Sequence, residues 1–269
     1  MIRFTDLCEQ QKPEVQRLRS VLDAFLEEAD DRLRHAEGLL LTGSVARGDA
    51  RIGPYGILID LLLVEGETGP IELSEVFGED SEPHIPFHCL QLVDKIGLAV
   101  SKSTVEGLYR IEEMSESQRF AMNESEILLD PNGSLARWKT TALRITDRDK
   151  YERAKQRYSR FRYLIGKYRY EKWADREAWV QLAQNANEAA ECYCEFLCCI
   201  NGTYIPRKDW LAYITYNLPI KPDDHESLME AIYTSGLDEE ALKTKYLRYR
   251  ELGSWMSGHI KSMSDSTDG

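Results

Sequence analysis

Residues 39–64, LLLTGSVARGDARIGPYGILIDLLLV, decide the fold that we expect. The first residues of this stretch predict a short buried strand, and residues 57–64 predict a second strand that is almost wholly apolar, as central strands are. A turn with Gly43, Ser44 and Gly48 lies between the two strands. Asp60 is the one charged residue in the second strand. Because an unpaired carboxylate is costly to bury, we expect Asp60 to serve a function.

The turn has the residues that phosphate binding needs. Glycine lets backbone N–H groups come close to an anion, and the Ser44 hydroxyl can donate to a phosphate oxygen. Asp60 on the next strand can hold the Mg²⁺ that neutralises the phosphate. A phosphate loop of the Walker type is excluded, since the chain has no Gly-Lys-Ser/Thr. The sequence therefore predicts nucleotide binding, and the alternative is an ordinary turn at a strand end.

Residues from about 36 to 65 resemble the nucleotidyltransferase superfamily, the polymerase-β-like fold that includes kanamycin nucleotidyltransferase. The resemblance lies in an apolar strand, Gly-Ser, three residues, Gly, and a second apolar strand that bears Asp. It implies transfer of a nucleoside monophosphate from a magnesium-bound triphosphate, ATP by preference, to a hydroxyl of a small-molecule acceptor. It further implies that Asp60 is the catalytic metal ligand, and that the nucleotide is bound by Gly43, Ser44, Arg47 and Gly48.

The chain departs from the family at its acidic residues. The family motif places two carboxylates at alternate strand positions, Asp-x-Asp, so that both bridge two metal ions. Asp60 matches the second position, whereas Leu58 stands at the first. The third acid, expected on a later strand, falls on His88 within HIPFHCLQLV. Other acids that could complete a metal site are Asp49, Glu72 and Asp94.

This departure leaves more than one function open. The first is an active nucleotidyltransferase with a small-molecule acceptor, whose identity the sequence does not give. The alternative is a catalytically impaired nucleotide-binding, regulatory or antitoxin-like protein on the same fold. A further alternative is a transferase that acts on RNA. The basic segment described in the next paragraph is the reason for this alternative.

The charge is unevenly distributed. The net charge of −12 over 269 residues argues against a general binder of duplex DNA. Residues 137–176, however, contain 14 Lys or Arg against 5 Asp or Glu, interleaved with aromatic residues that could stack on bases. The alternative is an amphipathic helix with solvated cations. Within this segment the candidates for contact with the triphosphate are Arg162, Lys167 and Arg169.

The pattern along the chain predicts an α+β protein. A helix is expected over residues 12–34, followed by a nucleotidyltransferase-like mixed sheet within residues 1–135. Helical periodicity predicts a bundle over 136–262, and the polar residues 263–269 predict a flexible tail. Four cysteines between residues 192 and 199 are expected to be reduced and buried in this bundle. The chain has neither an apolar run of membrane-spanning length nor a secretory signal at its start, so we expect a cytoplasmic protein.

Overall fold

Strands and helices alternate in the first part of the chain and helices alone follow, in a computed structural model that describes residues 4–66, 69–82, 84, 86–234, 236 and 238–267. At residues 4–8, 266 and 267 it describes the backbone alone. The chain divides into two compact units, Ile2–Arg144 and Ile145–Gly269, called here the N-terminal and the C-terminal unit. The predicted α+β class is confirmed.

The N-terminal unit contains a five-stranded sheet and its helices. In chain order its elements are α1 (Phe4–Leu33), β1 (Ala36–Leu41), α2 (Gly43–Arg47), β2 (Ile57–Glu65), α3 (Leu73–Phe77), β3 (His88–Val93), β4 (Ile96–Thr104), α4 (Val105–Tyr109), a 3₁₀ turn (Ile111–Glu113), α5 (Glu116–Glu124), β5 (Glu126–Leu129) and α6 (Ser134–Thr141). Helix α1 starts earlier than the predicted residue 12, because the apolar spacing that predicts it begins only at Val15. The sequence also predicts a third strand over residues 85–93. Ile85 lies outside the described residues, and β3 begins at His88.

The sheet has the order β3-β4-β2-β1-β5 and is mixed. Strand β2 pairs antiparallel with β1 and parallel with β4, while β3 and β5 pair antiparallel at the edges. Strand β2 is central because nearly all of its residues are apolar and can be covered on both faces. On one face Ile59, Leu61 and Leu63 pack in a core with α1, where Leu18 and Leu22 are buried. The opposite face of β2 carries Asp60.

The first unit extends past the predicted boundary at residue 135, to Arg144. Helix α6 packs on β1, where Cγ of Leu135 would lie only 2.9 Å from a Cβ placed on Gly38. The indole Nε1 of Trp138 donates to the carbonyl oxygen of Leu108 at 2.8 Å, which ties α6 to α4. These long-range contacts include α6 in the N-terminal unit.

The C-terminal unit is built around helix α9. Its helices are α7 (Asp147–Leu164), α8 (Lys167–Ala174), α9 (Trp179–Ile200), α10 (Lys208–Thr215), α11 (His225–Thr234) and α12 (Glu239–Thr267). Helix α12 continues to Thr267, so most of the segment predicted as a tail is helical. None of the helices in the described ranges combines the length and hydrophobicity needed to span a bilayer.

The four cysteines of α9 are structural, as predicted. All four, Cys192, Cys194, Cys198 and Cys199, are buried in the core of the unit and form no disulfide. Burial raises the pKa of Cys192 and of Cys194 to about 12, so both remain protonated at neutral pH. Protonated thiols pack as small apolar groups and are poor metal ligands.

A buried histidine joins three helices of this unit. The Nδ1 atom of His225 lies 2.9 Å from the hydroxyl of Tyr193, and its Nε2 atom lies 2.9 Å from the hydroxyl of Thr215. All three side chains are fully buried. Desolvation, with a smaller contribution from the charge of Lys221, lowers the pKa of His225 to about 4. His225 is therefore neutral in the folded chain at physiological pH.

We expect the C-terminal unit to lose stability on acidification because of His225. An unfolded histidine takes up a proton near pH 6.5, whereas the folded His225 does so near pH 4. The unfolded state therefore binds more protons in this interval, and the histidine's contribution is complete above pH 6.5 and decreases as the pH falls toward 4. The expected slope is about 1.4 kcal/mol for each pH unit.

Urea unfolding of the wild type and of His225→Gln at several pH values between 7.5 and 4 measures this slope. The difference in free energy of unfolding between the two proteins isolates the histidine from other titrating groups. A difference that stays constant with pH would contradict the assignment.

Candidate functional site

Asp60 lies in the middle of β2, on the sheet face that is turned away from the core. Period-two alternation puts Leu58 and Leu62 on the same face as Asp60. Leu62 is buried, Asp60 is half-buried and Leu58 is 38% exposed, so this face opens toward the start of β2. The predicted position of Leu58 beside Asp60 therefore agrees with the strand's geometry.

The neighbouring strands place no acid beside Asp60. In the parallel register of β2 and β4, Asp60 is opposite Ala99 and Leu58 is opposite Gly97. Strand β3 continues these two rows with Cys89 opposite Ala99 and Gln91 opposite Gly97. Asp60 is therefore the single carboxylate in these two rows of the sheet.

The turn after β1 is held directly over Asp60. The backbone N–H of Thr42 donates to the carbonyl oxygen of Asp60 at 2.8 Å. Gly43 follows with a φ of +68°, and a Cβ at this position would overlap Oδ2 of Asp60 and lie 3.0 Å from its Cγ. Only glycine satisfies both the left-handed conformation and the close approach. The glycine thus brings the backbone of the turn against the Asp60 carboxylate.

Ser44 and Gly48 shape the rest of this turn. Ser44 lies in the short helix α2, and Gly48 ends that helix with a φ of +84° and donates its N–H to the Ser44 carbonyl oxygen at 3.0 Å. Val45 anchors the helix in the core beneath. The structure gives Gly48 a role in terminating the helix, and it leaves Ser44 half-buried next to Gly43.

Arg47 and Asp49 form a buried ion pair at the end of the turn. Nη2 of Arg47 lies 3.3 Å from Oδ1 of Asp49, whose side chain is fully buried, while that of Arg47 is 12% exposed. Burial raises the pKa of Asp49, and the charge of Arg47 opposes this shift. Asp49 therefore acts on Arg47 and holds its guanidinium in place.

The other acids suggested by the sequence lie in different surroundings. Glu72 is exposed at the start of α3, and Asp94 is exposed in the turn between β3 and β4 with a φ of 37°. The sequence places His88 in the strand where the third acid is expected, with an ordinary strand residue as the favoured interpretation. His88 is opposite Val100 on the core side of the sheet, and its Nε2 atom lies 2.9 Å from the carbonyl oxygen of Gly78. Cys89 is the residue of β3 in the row of Asp60.

These residues do not fit a two-metal centre. Such a centre needs several carboxylates that bridge both ions. Within the described ranges, no group of three or more His, Cys, Asp or Glu side chains could hold a metal ion. Asp60 could still hold one Mg²⁺ that arrives with a triphosphate, since such an ion takes most of its ligands from phosphate and water.

The basic segment is partly structural, and residues 145–176 of it belong to the C-terminal unit. Lys167 is exposed and pairs with Glu171 at 3.4 Å, and the guanidinium of Arg169 lies 3.9 Å from the ring centre of Tyr163. Arg162 lies 5.8 Å from the ring centre of Tyr158. Four aromatic residues of the segment, Tyr158, Phe161, Tyr170 and Trp173, belong to the core or pack against it. This arrangement favours the amphipathic-helix interpretation for those four.

Comparison with known proteins gives a distant likeness among solved structures. No family model matches the chain, and no curated protein matches it. Among solved structures, the chain is similar to a nucleotidyltransferase-like protein from Exiguobacterium sibiricum 255-15, with a TM-score of 0.44 and 11% sequence identity. The match covers 91% of this chain and 78% of that one.

Strand β4 is the element of the site that the sequence reading missed. It supplies Gly97 and Ala99, which define the open face beside Leu58 and Asp60. The signal that could have found it is the alternation of Ile96, Leu98 and Val100, all buried in the core.

We expect Gly43→Ala to destabilise the protein more than Gly48→Ala. Both glycines have positive φ, so each alanine costs about 1–2 kcal/mol of backbone strain. A Cβ at Gly48 meets no atom within 4 Å, whereas one at Gly43 overlaps Asp60. Urea unfolding of the two variants measures the excess cost at Gly43.

The Asp60→Ala background provides the control, because it removes the atoms that overlap. In this background the loss in free energy of unfolding caused by Gly43→Ala should fall to the loss caused by Gly48→Ala. An equal cost of the two alanines in the otherwise unchanged protein would contradict the close approach.

Proposed function

We propose that the N-terminal unit binds a magnesium nucleoside triphosphate, ATP by preference, at the turn beside Asp60, and that it does not carry out two-metal nucleotidyl transfer. The observation that carries this proposal is the contact between Gly43 and the Asp60 carboxylate on a face with no second acid. The protein would then act as a nucleotide-binding or regulatory protein.

The binding half of the proposal rests on the chemistry of the turn. Gly43 removes a side chain where a phosphate would approach, and the Ser44 hydroxyl is a donor next to it. The negative charge of Asp60 opposes the approach of a triphosphate, and a cation between the two removes this repulsion. Mg²⁺ suits this position because one protein carboxylate is enough when phosphate oxygens supply other ligands. Arg47, oriented by Asp49, adds positive charge to the same turn.

The second half rests on what surrounds Asp60. Nucleotidyl transfer needs an acid or a second metal to activate the acceptor hydroxyl. Leu58 is at the position where a second carboxylate would share the metal, and Ala99 and Cys89 continue the row of Asp60. The Cys89 thiol is buried, and desolvation raises its pKa, so it is a poor base. None of these side chains can take the acceptor's proton.

Incubation with Mg²⁺ and ATP labelled at the α-phosphate separates this proposal from an active nucleotidyltransferase. We expect calorimetry to detect ATP binding and the labelling assay to detect neither pyrophosphate nor a labelled acceptor across a panel of small hydroxyl compounds. Robust transfer, abolished by Asp49→Asn or by Asp94→Asn, would show that an acid outside the sheet face completes the site. The absence of ATP binding would contradict the proposal itself.

Asp60→Asn should abolish the stabilisation by magnesium ATP and leave the fold intact. The amide keeps the shape of the carboxylate and loses the charge that Mg²⁺ requires. Thermal melting with and without magnesium ATP measures the effect. Asp94→Asn is the matched control, because Asp94 lies in an exposed turn, and it should keep the full ligand shift. An unchanged shift in Asp60→Asn would exclude Asp60 as the metal ligand.

Ser44→Ala should weaken ATP binding by roughly 0.5–1.5 kcal/mol, the usual net contribution of one hydrogen bond. Calorimetry at fixed Mg²⁺ measures this loss of ATP affinity. Thr140→Ala, at an exposed position of α6, is the control. A dissociation constant within error of the wild type would mean that the hydroxyl does not contact phosphate.

Leu58→Asp should strengthen magnesium binding. Residues two apart on a strand have side chains about 7 Å apart on one face, so the new carboxylate would join Asp60 around the ion. We expect no catalysis from this change alone, since the rows of β3 and β4 still lack a third acid. Mn²⁺ titration by electron paramagnetic resonance measures the gain in affinity, and Leu58→Asn controls for lost apolar surface. Equal Mn²⁺ affinities of the Asp and Asn variants would contradict the shared site.

A further inference from the structure

Two side chains that carry a charge at neutral pH are buried in the part of the chain that the structure describes, Asp49 and Lys245. Asp49 is paired with Arg47. Lys245, in the second turn of α12, has neither a hydrogen bond nor an ion pair with any described residue, although only 5% of its surface is exposed. The stem of this side chain is packed into the fold, and its ammonium has no counter-charge among the described residues. An anion from outside the chain could supply that counter-charge.

Lys245 lines a cavity between α11 and α12. The cavity has a volume of about 460 Å³, and its wall includes Ala231, Ile232, Ala241 and Thr244. A volume of this size is typical of sites for small molecules. The wall thus offers apolar surface to the body of a ligand and one buried cation to its charged end.

The other charged groups of the cavity have roles of their own. Oδ1 of Asp238 accepts the N–H of Ala241 at 3.0 Å and so caps the first turn of α12. Arg248 pairs with Glu251 at 2.9 Å, and Glu240 is exposed. Lys245 is the basic side chain of this cavity that has no counter-charge among the described residues.

We propose that this cavity binds a small organic anion, a carboxylate or a phosphate monoester with an apolar body, and that the Lys245 ammonium is its counter-charge. Desolvation lowers the pKa of Lys245 in the empty cavity. A bound anion would reverse this shift, because an opposite charge within a few ångströms favours the charged form. The site lies in the C-terminal unit.

Thermal melting with three probes of similar size tests the proposal. Benzoate and phenyl phosphate are the two anionic probes, and benzyl alcohol is the neutral one, each at 20 mM with matched ionic strength. We expect at least one anion to raise the melting temperature of the wild type by 2 °C or more and benzyl alcohol to leave it unchanged. The anion that acts distinguishes a carboxylate site from a phosphate site.

Lys245→Met and Lys243→Met form the matched pair of variants. Lys243 is exposed on the same helix and outside the cavity wall, so its substitution should keep the anion shift. Lys245→Met should lose the shift and melt higher than the wild type without ligand, since methionine fills the space without a charge. No shift with either anion in the wild type, or an equal shift in Lys245→Met, would overturn the proposal.

A second measurement uses the unsubstituted protein. Amine acetylation followed by mass spectrometry gives separate rates for Lys245 and Lys243. The anion that stabilises the protein should slow acetylation of Lys245 at least fivefold and leave that of Lys243 unchanged. Equal protection of both lysines, or of neither, would overturn the assignment of Lys245 as the counter-charge.

Discussion

The close approach of Gly43 to the Asp60 carboxylate is the constraint on which the candidate site depends. Pairing of β1 with β2 brings the end of one strand beside the middle of the other, and the bond from Thr42 N–H to Asp60 O sets the position of the turn. The left-handed conformation of Gly43 then directs the chain over the carboxylate instead of away from it. Any side chain at residue 43 would separate the turn from Asp60. The contact between the turn and the carboxylate therefore depends on the absence of a Cβ at this residue.

The same sheet face is the reason why we propose nucleotide binding without transfer. A strand gives two positions on one face within about 7 Å, and the chain uses one of them for Asp60 and the other for Leu58. The side chains nearest across β4 and β3 are small or uncharged. A leucine that is 38% exposed on this face lacks the usual benefit of burial, which makes it a feature of the surface and not of the core.

Local sequence patterns predicted the parts of the fold that depend on neighbours in the chain. Strands β1 and β2, the turn between them and the helical second half follow from apolar runs, glycines and helical spacing. Strand β4 was missed because Gly97 and Ala99 dilute its apolar alternation and its end is the polar Ser101–Thr104. The face of His88 could not be predicted, because the phase of an edge strand depends on its pairing with β4, which no local pattern reveals. Lys245 gave no signal either, since its burial arises from packing between α11 and α12.

The hydrogen bonds of the buried histidine have a direction as well as a length. Thr215 donates its one hydroxyl proton to the carbonyl oxygen of Ala212 at 2.6 Å, so toward His225 it can only accept. The imidazole must therefore carry its proton on Nε2, and Nδ1 must accept the proton of the Tyr193 hydroxyl. A single tautomer is thus selected by a backbone carbonyl that does not touch the ring. The three side chains form a chain of hydrogen bonds that all point in one direction. An imidazolium can only donate, so it would require the fully buried Tyr193 hydroxyl to turn its own proton elsewhere.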